Sequence, residues 1–412
     1  MSAIKDHLVF ASVLMVTLLS CAGIALPYPI MAPLFMSGQA NGLNTFMSVS
    51  PEMLLGFAMA IYPLGIFIGG SFIGALSDSY GRKKLLVITL FISILGYAIT
   101  AYAVVEQNYL LFIAARFFTG LCEGNISIAR AIALDLGKTI DKTRAMSLVS
   151  AASFLGWLIG PLAGGYLAVY GAEVAFIAAG VAIFVCMVFV MLVINETHKV
   201  VNDKPFVTLL KSHNSLSLLK NPVVFQIFVF QFIFTLGLNA FYEFYPVWLV
   251  IERGFQASDI GNITAVTTVC MTLSSLVLVT KLKRMFGIKA SVIGSLVVSA
   301  ILLAIMPFTE STGMFVVFAF IGVSLAVYNG LLPVFASDIV SDVGNGALMG
   351  LLTVIFCISN AIIALVGSYA LTLHPALPLF LGSGLVALSM VLFTRFAYSN
   401  VGYNVGADAK TS

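Results

Sequence analysis

Apolar residues run through this chain in long blocks separated by short polar turns. Segmenting by apolar runs of about 20 or more residues, the length a helix needs to cross ~30 Å of hydrocarbon, sets the expected spans. Twelve are predicted: 8–36, 53–76, 84–105, 108–134, 145–170 and 173–194, then 223–251, 258–281, 287–307, 312–336, 346–370 and 375–397. One long polar stretch, 195–221, divides them into two sets of six and carries Glu196, Lys199, Asp203, Lys204, Lys211 and Lys220. Its Phe206, Leu209, Leu210, Leu216 and Leu219 suit either a short amphipathic helix on the membrane surface or a plain linker. The expectation is an all-α membrane protein of two six-helix bundles, 1–194 and 222–397, with a polar tail at 398–412.

Composition confirms the class and narrows the chemistry. With 60% hydrophobic residues, 9% charged and a mean hydropathy of +1.08, the chain cannot fold around an ordinary aqueous surface. A net charge of +3, placed in short turns rather than in a patch, argues against a nucleic-acid partner. Cys21, Cys122, Cys186, Cys270 and Cys357 lie singly in different apolar runs, and His7, His198, His213 and His374 fall at span ends or loops, so no metal site is expected. Lys5 and the run ending Leu18-Leu19-Ser20-Cys21 look superficially like a lipoprotein signal. The apolar run continues past Cys21 and Leu19 is too bulky for that cleavage box, so the segment reads as the first span.

Lysine and arginine fix the orientation, because they are retained on the cytoplasmic side of short loops. With the N-terminus inside, all of the 20 except Arg116, Arg130 and Arg253 become cytoplasmic, while the opposite loops carry mainly Glu52, Glu106, Glu173, Glu252, Asp259 and Glu310. Both termini are therefore expected inside, in a bacterial inner membrane. The turn Gly74 to Leu86, GALSDSYGRKKLL, is then cytoplasmic. Its counterpart after span eight is Lys281 to Lys289, KLKRMFGIK, with Gly81 and Gly287 lying 206 positions apart. Arg144-Ala-Met-Ser-Leu opening span five is echoed by Gly346-Ala-Leu-Met-Gly opening span eleven. Duplicated halves place a substrate site near the midplane between them.

A positive-inside anchor explains Arg82, Lys83 and Lys84 but leaves Asp78 and the paired glycines Gly74 and Gly81 unexplained. Gly74-x-Leu76-x-Asp78-x-x-Gly81-Arg82-Lys83-Lys84 resembles the loop motif between spans two and three of the major facilitator superfamily, in its twelve-span drug:proton antiporter branch. The resemblance covers roughly residues 8 to 397. It implies a gating latch built on Asp78 and Arg82, joined by an acidic residue at the inner end of span four, a place that Asp135 fits.

Span four places Arg116, Gly120, Glu123, Ser127 and Arg130 at steps of three, four or seven, within roughly 40° of one face of a helix. Charge inside a bilayer is costly, so that face is expected to line the central cavity. Glu123 is a candidate proton carrier with Arg116, and a structural charge cluster is the other reading. Arg116 and Gly120 resemble the superfamily's RxxxG motif, where the arginine is implicated in proton transfer. In span five, Gly156, Gly160 and Gly164 form a small-residue ridge, and Pro161 can bend the helix. With Gly165 they resemble the antiporter motif GxxxGPxxGG, which implies export rather than uptake.

Span one has no carboxylate where some multidrug members carry one. Span seven brings Asn239 and Glu243 before Tyr245, Pro246 and Trp248; Glu243 is either a second proton-coupling candidate or part of an ordinary interfacial belt. Asn329 in span ten and Asn360 in span eleven join Ser127, Arg130 and Asn239 as candidate cavity residues. The chain is thus expected to be a monomeric, proton-coupled exporter of small organic molecules or drugs, using the proton gradient and no cofactor. The alternatives are an exporter dedicated to an endogenous metabolite such as a siderophore or sugar, and a proton symporter for uptake. A polytopic membrane enzyme lacks a nucleotide loop, a metal set or a nucleophile-base spacing to support it.

Overall fold

The computed structural model describes residues 2–36, 38–123, 125–136, 140, 142–195, 219, 221–339 and 345–399. The linker 196–218, the loop position Asp342 and the tail beyond residue 399 lie outside the described residues, and so do the side chains of Asp78 and Asp338.

Among the described residues all regular structure is helical, as a chain in lipid requires when every backbone donor must be satisfied within its own segment. The helices are α1 (Ser2–Ala25), α2 (Tyr28–Met36), α3 (Pro51–Tyr80), α4 (Arg82–Val105), α5 (Tyr109–Cys122), α6 (Asn125–Asp135), α7 (Lys142–Leu167) and α8 (Ala172–Val193). There follow α9 (Pro222–Arg253), α10 (Ala257–Ile305), α11 (Ser311–Ile339), α12 (Asn345–Leu373) and α13 (Leu377–Ser399). Ser50 caps α3 ahead of Pro51, Asn108 caps α5 and Asn221 caps α9, each side-chain oxygen accepting a backbone N–H two or three residues on.

Eleven helical stretches among the described residues are long and apolar enough to cross a membrane. One of them, Ala257–Phe308, has 52 residues, about 78 Å of helix at 1.5 Å per residue. Non-helical backbone at Gly287 splits it into two arms, which restores the expected twelve crossings. The first crossing is itself interrupted: α1 ends before Pro27, which has no N–H to continue the ladder, and the chain restarts as α2.

Two boundaries differ from the sequence reading. The segment from Gly74 to Tyr80 is helical rather than part of a loop, because Gly81 alone reverses the chain at φ +100°. Only a residue without Cβ takes that conformation freely. Gly287 does the same in the second half at φ +78°. Span four is also not one helix, since α5 stops at Cys122 and α6 starts at Asn125.

By contacts the chain forms two compact units that cut across the sequence halves. Unit 1 comprises Met1–Asn214, Pro246–Ala265 and Ala364–Pro375; unit 2 comprises Ser215–Tyr245, Val266–Ile363 and Ala376–Ser412. Within unit 1, α3 packs on α5, α1 on α7, and α4 on α8. Lipid and protein interior are equally apolar, so close helix approach rather than hydrophobic burial holds such pairs together. Along the α3–α5 seam, Gly65 lies against the Phe117 carbonyl, Gly69 against the Leu121 carbonyl, and Gly120 against the Tyr62 carbonyl. In unit 2, Gly237 and Gly382 meet backbone to backbone, and Phe230, Phe335, Phe393 and Phe396 cluster edge-on. Large apolar side chains such as Phe184, Leu192, Leu276, Ile301 and Phe320 are exposed, as suits helices set in lipid.

Candidate functional site

Three charged side chains are buried among the described residues: Arg116, Glu123 and Glu243. Arg116 and Glu123 belong to one cluster in unit 1, assembled from three helices. Because Gly120 has no Cβ, α3 comes close enough to α5 for the Tyr62 ring to reach Arg116, whose Cζ lies 4.0 Å from the ring centroid. A desolvated contact of this kind is worth about 2 kcal/mol or more. The Tyr62 hydroxyl faces the Glu123 carboxylate, and the Tyr97 hydroxyl, from α4, faces Tyr62 and Arg116. Among the described residues none of these hydroxyl or carboxylate oxygens, nor Nε or Nη1 of Arg116, has a hydrogen-bond partner. Glu123 is only 4% exposed, so its charge, when present, is paid for by these neighbours and not by solvent.

The break after Cys122 divides the predicted span-four stripe. Glu123 caps α5 and remains buried with Arg116 and Gly120, whereas Ser127 and Arg130 on α6 are exposed. The helix ladder is interrupted at the proton-carrier candidate itself. Thr89 of α4 donates to Asn125 Oδ1 at the start of α6, which fixes the new helix against α4.

At the turn between α3 and α4, Arg82 pairs with Asp135 and donates to the Ala131 carbonyl at 2.8 Å. Lys83 donates to the Met191 carbonyl at 2.8 Å near the end of α8. The turn is thus tied to the ends of α6 and α8. Gly74 sits within α3.

The glycines of α7 serve two faces. Gly156, Gly160 and Gly164 lie against the carbonyls of Leu18, Ala22 and Leu26, one helical turn apart along the first span. Pro161 is buried beside them. Gly165 instead meets the Ala257 carbonyl and the Gly261 Cα at the start of α10. The adjoining Tyr166 hydroxyl donates to Asn262 Oδ1 at 2.9 Å.

In unit 2, Glu243 is 2% exposed and neither carboxylate oxygen has a hydrogen-bond partner among the described residues. Its neighbours Tyr245 and Trp248 are equally buried. Asn239, one turn earlier, donates to the Phe356 carbonyl at 3.5 Å, and Asn360 is buried, whereas Asn329 is exposed. Gln231 accepts from the Tyr328 hydroxyl at 2.6 Å, and Phe234 stacks on the Tyr328 ring.

Sequence reasoning missed Tyr62, Tyr97, Tyr166 and Asn262. Each is an uncharged side chain in an apolar run, so only the glycines packed beside them, Gly23 at Tyr97, Gly120 at Tyr62 and Gly165 at the Tyr166–Asn262 seam, gave any signal.

The family described as Major Facilitator Superfamily matches residues 8–364. Multidrug resistance protein 2 of Bacillus subtilis (strain 168) is 26% identical over 252 residues, 60% of this chain and 62% of that protein. Tetracycline resistance protein, class H, of Pasteurella multocida is 28% identical over 188 residues, 45% of this chain and 44% of the relative. The aligned segments therefore span less than two thirds of these curated relatives. The crystal structure of the human organic anion transporter MFSD10 (TETRAN) superposes with a TM-score of 0.68 at 20% identity, covering 94% of this chain and 99% of that one. With the family matched across most of its spans and the same fold found over nearly the whole length, the chain belongs to the Major Facilitator Superfamily.

Proposed function

We propose that this transporter is a proton-coupled exporter of small organic molecules or drugs, working by alternating access in a bacterial inner membrane with both termini in the cytoplasm. The buried Arg116–Glu123 cluster carries the proposal. A carboxylate held away from water beside a fixed cation has two protonation states of comparable cost, which is what a coupling site needs. Export rather than uptake is supported by the Gly156–Gly165 motif on α7 and by the multidrug and tetracycline resistance names of the relatives above. The proton gradient is the energy source, no cofactor takes part, and the monomer is the working unit.

Coupling then runs through competition. The carboxyl holds a proton while it is buried, and gives it up when the cavity hydrates or Arg116 approaches. The test is uptake of a panel of drugs and metabolites into inverted vesicles, with and without an imposed proton gradient. Gradient-driven accumulation of at least one drug is expected. Accumulation of endogenous metabolites alone would make it a dedicated exporter, and transport of every substrate without regard to the gradient would refute antiport.

A further inference from the structure

We infer that Tyr62 and Tyr97 are positioning residues for the coupling proton: their hydroxyls are the donors that receive the Glu123 carboxylate when its proton leaves. The inference rests on the reading of Glu123 as the proton carrier. It moves the proton site from one carboxylate on span four to a cluster shared by α3, α4 and α5.

The observations are geometric. A buried carboxylate needs donors for its lone pairs, and Glu123 has none engaged. Arg116 does not meet that need in this structure: its guanidinium lies over the Tyr62 ring, with Nε and Nη1 unengaged among the described residues. Two further hydroxyls stand in the cluster without an engaged hydrogen bond among the described residues: that of Tyr62, beside Glu123, and that of Tyr97, beside Tyr62 and Arg116. Both side chains are fully enclosed. Two hydroxyls and a carboxyl buried together without engaged partners are costly unless another state of the site uses them.

Gly23 of α1 supports the same point. A Cβ there would collide with the Tyr97 hydroxyl, so the first span leaves space for that one oxygen. The groups facing Glu123 are Cys21 from α1, Tyr62 from α3, Tyr97 from α4, and Arg116 and Cys122 from α5; Arg130 of α6 reaches Cys21. The step balances simply. The carboxyl O–H bond breaks, the proton passes to water, and the carboxylate oxygens accept from the two tyrosine hydroxyls, with Arg116 supplying the countercharge. Protonation reverses each move.

The test uses the full-length protein in detergent and the proton alone as probe. The carboxylic C=O stretch that is missing in Glu123→Gln is followed by infrared difference spectroscopy as pH rises. Losing a donor to a charged acceptor weakens the charged form by roughly tenfold or more. Tyr62→Phe and Tyr97→Phe are therefore each expected to move the disappearance of that band toward alkaline pH by about one unit or more. Gly23→Ala is expected to move it likewise, and Gly23→Ala/Tyr97→Phe to match Tyr97→Phe alone. Phenylalanine keeps the ring over Arg116, so a purely structural role would leave the titration in place. An unmoved midpoint in both tyrosine variants overturns the inference while leaving Glu123 as carrier. Absence of any titrating Glu123 band in the unaltered protein overturns the carrier reading itself.

Discussion

Lys289 donates its ammonium to the Ala397 carbonyl at 2.7 Å, repeating a contact made by Lys83 to the Met191 carbonyl at 2.8 Å. Both the lysines and their acceptors are 206 positions apart, the same interval that separates Gly81 and Gly287. Each accepted carbonyl lies two residues before the last residue of its helix, α8 or α13, where the helix dipole is negative. The two halves of the chain are thus related by a repeated device as well as by similar turns. The repeat is incomplete: Ile288 stands where the first half has Arg82.

A lysine at a helix C-terminus is worth about 0.3–1 kcal/mol. Lys83→Met and Lys289→Met are each expected to lower the thermal unfolding midpoint of the purified protein by a few degrees at most. The contacts lie in separate units, so the double variant should show the sum of the two shifts. A loss well beyond that sum would show that the turns are coupled.

Arg82 contacts the Ala131 carbonyl as well as Asp135, and Asp135 is 38% exposed at its side chain. An exposed ion pair contributes roughly 1 kcal/mol or less, but the carbonyl of Ala131 loses its guanidinium only when the arginine goes. Arg82→Gln is therefore expected to slow transport several-fold more than Asp135→Asn. Reconstituted vesicles at matched protein density measure both. Equal effects would mean that the ion pair is the only functional contact of the turn.

Much of this was legible because membrane chemistry writes in large units. Apolar blocks gave twelve crossings, and charges too costly to bury by accident marked Arg116, Glu123 and Glu243, which the structure buries. Helix interruptions were harder to read. The end of α5 at Cys122 is one, since apolar and small residues stand on both sides of it, and helical spacing does not show that Ser127 and Arg130 on α6 are exposed while Glu123 is buried. The merger of the Gly74–Tyr80 segment into α3 was hidden for the opposite reason: polar residues suggested a loop, but a single positive-φ glycine suffices to turn the chain. Tyr62 and Tyr97 were invisible because an apolar helix contains many aromatics, and which of them meets a charge depends on how neighbouring helices pack.

The glycine ridge of α7 gives a graded expectation. A Cβ at Gly160 would meet the Ala22 carbonyl and Cα, both backbone atoms that cannot rotate away. At Gly294 a Cβ would meet nothing within 4 Å. Gly160→Ala should force α1 and α7 apart and lower the unfolding midpoint, whereas Gly294→Ala should be neutral or slightly stabilising, since alanine favours helix by up to ~1 kcal/mol. The reverse order in a thermal melt would remove close backbone approach as the reason for the motif.

The hydrogen bond from Tyr166 to Asn262 joins the end of span five to the start of span eight inside unit 1, next to the backbone contact of Gly165 with Gly261. Side-chain hydrogen bonds between membrane helices average only about 0.6 kcal/mol, which is roughly a threefold change in an equilibrium. A contact of that size holds two helices together without locking them, as alternating access would require of any point where the chain must part. Tyr166→Phe is expected to speed amide hydrogen exchange about threefold in the last turn of α7 and the first turns of α10, and to leave α4 and α8 unchanged. In an Asn262→Ala background the same substitution should add nothing further, because the partner is already gone. Additive acceleration in the double variant would show that Tyr166 acts through something other than Asn262, and the contact would then be incidental to the opening of this seam.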